Sequence, residues 1–129
     1  MRRLLATAIL SLAFSVCAWI ERASVPSGDP FIPGLDANGS SYKPAISDGG
    51  DFVAFESSAT NLVAGDSNGA QDVFVRDLVT DTTERVSVSS DGTQATFASS
   101  DPSISDDGRF VAFVTRSQLT ADDHDGAAD

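Results

Sequence analysis

Thiols are almost absent. Cys17 is the only cysteine in 129 residues, and it lies in an N-terminal segment that reads as removable. A disulfide framework and a cysteine-based zinc site are therefore excluded for the rest of the chain. Histidine is equally scarce: His124 stands alone in an acidic stretch. Positive charge is the third shortage. Eight Lys+Arg face nineteen Asp+Glu, a net charge of −11, and from residue 24 onward five basic residues face eighteen acidic ones, a net of −13. This balance argues against nucleic acid or anionic membrane as a partner, because phosphate recognition needs a clustered positive surface. Helical periodicity is missing as well. After the N-terminus no segment places apolar residues at i, i+3, i+4 and i+7, so essentially no helix is expected there. The 41% hydrophobic content is still enough for a core and too high for a fully disordered chain.

The N-terminus has the pattern of a secretory signal. Arg2 and Arg3 form a short positive region, and Leu4 to Ile20 is a 17-residue stretch without charge, closed by Glu21 and Arg22. Residues 1–23 are therefore expected to form a signal helix that directs the chain to a secreted or periplasmic location. Cleavage after Ala18 or after Ala23 fits the small-residue preference. The alternative is an uncleaved anchor, since 17 residues is at the lower limit for crossing a bilayer. A lipoprotein signal fits less well, because Val16 precedes Cys17. Residues 24–41 hold three prolines and three glycines and read as a flexible linker.

The strongest signal is internal repetition. Lys43–Phe55 reads KPAISDGGDFVAF and Asp101–Phe113 reads DPSISDDGRFVAF, with nine of thirteen positions identical at an offset of 58. With one deletion, Ser58–Asp72 and Thr115–Asp129 agree at six of fifteen positions. Such a period marks a propeller or an array. Each unit reads as antiparallel strands. Pro44–Ser47 is a short first strand, Asp48-Gly49-Gly50 a turn, and Phe52–Phe55 a second strand. A polar loop runs from Ser57 to about Gln71. Asp72–Leu78 is a third strand, Thr80–Thr83 a turn, and Glu84–Val88 a wetter fourth strand. FVAF and VFV are continuous apolar runs, so both faces of this sheet require cover. Stacked propeller blades supply it; a β-sandwich would leave one face of each sheet polar.

Ile104-Ser105-Asp106-Asp107-Gly108-Arg109-Phe110-Val111-Ala112-Phe113, with Leu119 after it, resembles the TolB-type (WD-like) β-propeller repeat. Ile46 to Phe55 does too, together with Asp72–Leu78 and Arg85-Val86-Ser87. Asp48 and Asp106 stand where that family's turn has Pro, and Gly49 replaces its Asp. The resemblance covers about residues 41–129. It implies an all-β fold of antiparallel four-stranded propeller blades. Residues 42–100 would be a first repeat and 101–129 a second, incomplete one, a fragment of a longer repeat protein. It also implies a non-catalytic protein-interaction or structural scaffold, whose partners are proteins or further blades. The competing implication is the propeller portion of an extracytoplasmic hydrolase, a peptidase or glycosidase, with its catalytic part elsewhere, because fold alone does not fix function.

The loop between the second and third strands carries a site-like pattern. Asp66-Ser67-Asn68-Gly69-Ala70-Gln71-Asp72 and Asp123-His124-Asp125-Gly126-Ala127-Ala128-Asp129 both read D-x-[D/N]-G-x-x-D. Oxygens at positions 1, 3 and 7 around a glycine bend can converge on calcium, which takes six to eight hard oxygen ligands. The candidate metal ligands are thus Asp66, Asn68 and Asp72, then Asp123, Asp125 and Asp129, the first set the weaker. The spacing excludes an EF-hand and resembles short extracellular DxDGxxD calcium loops. The plain alternative is an Asx-turn that needs no metal. His124 reads as solvated. A Ser-His-Asp triad would depend on His124. Arg76 and Asp77 are expected to form ordinary pairs between strands or blades.

Overall fold

A computed structural model describes residues 22–27 and 36–120. The signal helix expected within residues 1–23 falls outside them apart from Arg22 and Ala23, which are not helical. Asp123, Asp125 and Asp129 also lie outside. The described residues are all-β. Strands β1 (Ser41–Ile46), β2 (Phe52–Ser57), β3 (Asp72–Asp77) and β4 (Thr82–Arg85) form an antiparallel sheet in the order β1-β2-β3-β4. Strands β5 (Ser99–Ile104) and β6 (Val111–Thr115) form a second, two-stranded sheet. No described helix is long and apolar enough to cross a membrane.

The two sheets are built alike. β1 carries a bulge between Tyr42 and Ala45, and β5 carries one between Ser100 and Ser103. Lys43 and Asp101, the residues before Pro44 and Pro102, take positive φ of 49° and 54°. The bulge takes up prolines that lack a ladder N–H, so β1 starts at Ser41 rather than at Pro44. The turns after β1 and β5 also match. Ser47 and Ser105 accept through their carbonyls from Gly50 and Gly108, each at 2.9 Å, with the glycines at φ 77° and 72°. The same serine hydroxyls accept from the N–H groups of Phe52 and Phe110. Glycine is required there because left-handed backbone is strained for other residues.

β3 ends at Asp77, whose Oδ1 accepts from the N–H groups of Val79 and Thr80 and closes an Asx turn. β4 runs over Thr82–Arg85 rather than to Val88. Beyond Arg85 the chain dips inward, and Ser87 Oγ takes over as acceptor of the Val73 N–H.

Directly paired residues share a sheet face. On one face of the first sheet lie Val53 with Arg76, Phe55 with Phe74, and Ser57 with Asp72. Phe55 and Phe74 stack at 5.8 Å between centroids and are covered by Ala59 and Leu62, with Ala23, Ala37 and Val63 around them. Part of the expected linker joins this cover. Val25 is buried. Its carbonyl accepts from Thr83 Oγ1, and Ser27 Oγ accepts from the Thr83 N–H. Arg76 is fully buried and donates to Asp81 and Pro26. On the other face lie Phe52, Ala54, Glu56, Val73 and Val75. β5 packs over this face, against β1, β2 and β3. Both faces of the apolar inner strands are thus covered, one by loops and one by the second sheet.

Candidate functional site

The strand register brings the acidic loop onto β3 and β4. Asp66, Asn68 and Asp72, the first candidate calcium set, do come together. Asn68 Nδ2 donates to Asp72 Oδ2 at 2.8 Å and to the Ala95 carbonyl at 2.8 Å, while its Oδ1 accepts from the Ala70 N–H at 3.0 Å. Ser87 Oγ donates to Asp72 Oδ1 at 2.6 Å. Between the carboxylates sits a cation that spacing within the loop did not reveal. Arg85 Nη1 lies 3.2 Å from Asp66 Oδ1 and 3.6 Å from Asp72 Oδ2. It arrives because β3 and β4 pair Phe74 with Arg85, bringing Arg85 to the start of β3.

This cluster is almost closed to solvent. The Asp72 side chain is fully buried and that of Asp66 nearly so. Burial, followed by repulsion from Asp72, pushes the Asp66 carboxyl up from its ordinary value, and Arg85 opposes this. Asp66 Oδ1 and Arg85 Nη1 are close but not aligned as a hydrogen bond, and neither has a hydrogen-bond partner among the described residues. The arrangement pins the loop, the start of β3 and the end of β4 together. An ion entering it would compete with Arg85 for the carboxylates. Among the described residues no group of three or more His, Cys, Asp or Glu is placed to hold a metal.

A second cluster spans the two sheets. Lys43 Nζ donates to Asp101 Oδ1 at 2.6 Å, and the Asp101 N–H donates to Glu56 Oε2 at 2.9 Å. Asp101 holds the Lys43 ammonium above its ordinary pKa, and the same bond lowers the Asp101 carboxyl. Lys43 and Asp101 occupy the same position in successive units. So do Asp48 and Asp106, and the Asp48 N–H donates to the Asp106 carbonyl at 3.2 Å. The sheets therefore meet through equivalent points one repeat apart. Gly108 completes the contact: a Cβ there would lie 2.2 Å from Phe52 Cδ2. The repeat alignment already paired Lys43 with Asp101 in register; it did not say that the two would touch.

Arg76 and Asp77 differ from each other. Arg76 Nη2 pairs with Asp81 Oδ1 at 2.9 Å, in the turn that follows its own strand, while Asp77 caps its turn. Exposed large apolar side chains include Val79, Phe97 and Tyr42 as well as three on β1, β6 and the turn before β6. Phe110 is 67% exposed, Ile46 64% and Val114 41%. No protein-family model and no curated protein matches this chain.

Proposed function

We propose that the chain is an exported, secreted or periplasmic, TolB-like propeller repeat that acts as a non-catalytic protein-interaction scaffold. The two sheets would be successive blades, and the open face of the second sheet its docking surface. The observation that carries this reading is a contrast between equivalent positions. Ala54 on β2 is fully buried beneath the second sheet, whereas Ala112 on β6 is exposed. Phe52 is half-buried and Phe110 exposed. Contiguous apolar area left open in this way is characteristic of interaction sites. The acidic loop adds calcium stabilisation to the proposal. Its support is the buried, unaligned Asp66 Oδ1 beside Asp72, a pair of hard oxygen donors.

A photo-reactive residue at position 110 tests the docking surface in the producing cell. The expected result is a discrete protein adduct, absent when the probe stands at Glu84, which is exposed on β4. Equal labelling from both positions contradicts the reading. Turnover of peptide or glycoside substrates by the purified chain, lost on changing a single carboxylate, would contradict the non-catalytic part.

A further inference from the structure

We infer that Asn68 is a self-modification site: with water as the only co-reactant its side-chain amide becomes a carboxylate, and the acidic loop passes from being held by its own donors to requiring a cation. The cation step rests on the calcium reading above; the covalent step does not. The chain has two Asn-Gly pairs, Asn38-Gly39 and Asn68-Gly69. In such a pair the next backbone nitrogen reaches the side-chain carbonyl carbon most easily, because glycine puts no side chain in the way. The fold treats the two pairs differently. Asn38 holds its carboxamide out to Thr60, with Nδ2 donating to Thr60 Oγ1 at 2.9 Å and Oδ1 accepting from the Thr60 N–H at 2.8 Å. The Gly39 backbone is wedged against Ser58 and Ala59, so that a Cβ there would lie 2.6 Å from the Ala59 nitrogen. Asn68 instead turns its carboxamide back on its own loop, Oδ1 accepting from the Ala70 N–H at 3.0 Å across Gly69. Gly69 is exposed, at φ 66°, and a Cβ there would meet nothing within 4 Å. Its N–H has no acceptor among the described residues.

The Ala70 N–H draws electron density from the Asn68 carbonyl, and the Gly69 nitrogen is free to turn toward it. That nitrogen gives its proton to hydroxide and attacks Cγ. The N–Cγ bond forms, the Cγ–Nδ2 bond breaks, and the amide nitrogen leaves as ammonia with a proton from water. Water then opens the cyclic imide to an aspartate or isoaspartate at position 68, and no electrons are transferred. Nδ2 is tied to Asp72 Oδ2 and to the Ala95 carbonyl, each at 2.8 Å, so conversion runs at the rate at which the loop opens. Afterwards position 68 can only accept. Where it donated, a carboxylate faces the buried Asp72 carboxylate and a carbonyl. One tie from the loop to the connector before β5 is lost, leaving those between Ser67 and Gln94. Among the described residues Arg85 is then the one cation for the carboxylates of Asp66, Asp72 and position 68. Asp66 Oδ1, buried and without a hydrogen-bond partner, already faces this point. Carboxylates around a glycine bend suit a divalent cation, and the loop would read D-x-D-G-x-x-D, as Asp123–Asp129 does.

Incubation of the full chain at mildly alkaline pH, followed by peptide mass mapping, tests the covalent step. The expected result is the mass gain of NH exchanged for O at position 68 well before position 38, with ammonia released in step. In urea the two positions are expected to convert alike, because the fold makes the difference. Asn68→Gln, whose longer side chain closes an imide ring far more slowly, is expected to stay unconverted, with circular dichroism checking that its β-signal is kept. No gain at position 68, equal gain at both positions, or the same preference in urea overturns the inference. Asn68→Asp tests the consequence without incubation. Its thermal midpoint is expected to fall below that of the wild type in chelator and to recover in millimolar calcium, and the incubated wild type to move the same way. If the converted chain and Asn68→Asp both ignore calcium, the cation step fails together with the calcium reading, while the modification of Asn68 stands. If Asn68→Asp responds to calcium but the wild type never converts, the modification is overturned and the calcium reading stands.

Discussion

Asp91 shows how single carboxylates hold this chain's turns. It accepts from Ser89 Oγ and then from the Thr93 N–H, and these bonds bring its pKa to about 2. Asp107 is lowered by Ser105 and the Arg109 N–H, and Asp77 chiefly by the Thr80 N–H. A carboxylate whose pKa is lower in the folded chain adds stability above its unfolded value of 3.8, and that stability is lost as pH falls through the folded value. The denaturation midpoint is therefore expected to fall progressively below about pH 4, with a carboxyl-carbon NMR titration placing Asp91 at about 2. Asp66 runs the other way. Its raised pKa favours the folded state at low pH, and that contribution is lost as pH rises through the raised value. Urea denaturation should show Asp66→Asn gaining on the wild type as pH rises from about 4 through the raised value; a constant difference would contradict the burial of Asp66. The acidic cluster was legible as a group from its spacing. Arg85 was not, because only the β3–β4 register brings it to Asp72.

Glycines at equivalent turns separate local strain from stacking. Gly50 and Gly108 share a positive φ, but a Cβ on Gly50 meets nothing within 4 Å and one on Gly108 strikes the Phe52 ring. Gly50→Ala is expected to cost about 1–2 kcal/mol, the left-handed penalty alone. Gly108→Ala should add about 1–3 kcal/mol of overpacking to that penalty. Equal losses in a denaturant titration would mean that the turn after β5 does not pack on the first sheet. The strands themselves were largely legible. FVAF and DVFVRD are short apolar or alternating runs bounded by turn residues, and the structure extends the first only to Ser57. Two boundaries escaped for definite reasons. The bulges at Lys43 and Asp101 have positive φ without the glycine that would announce it. The end of β4 is set by Ser87 turning toward Asp72, a tertiary contact.

At the scale of the whole molecule, the repeat is the feature that sequence and geometry share. Its offset of 58 recurs as physical contact, Lys43 with Asp101 and Asp48 with Asp106. Calcium bears on the molecule through the acidic loop. An ion there would replace Arg85 between Asp66 and Asp72, so Arg85→Ala should enlarge the rise in thermal midpoint produced by millimolar calcium, and Asp66→Asn should abolish it. If calcium moves neither the wild type nor Arg85→Ala, Arg85 is the loop's permanent cation. The proposed scaffold depends on the stacking of one repeat on the next, which nuclear Overhauser contacts in solution measure most directly. The Gly108 α-protons are expected to show cross-peaks to the Phe52 ring and upfield ring-current shifts. Absence of both, while the contacts between β1 and β2 and between β5 and β6 persist, would leave two independent sheets and contradict the stacked-repeat reading.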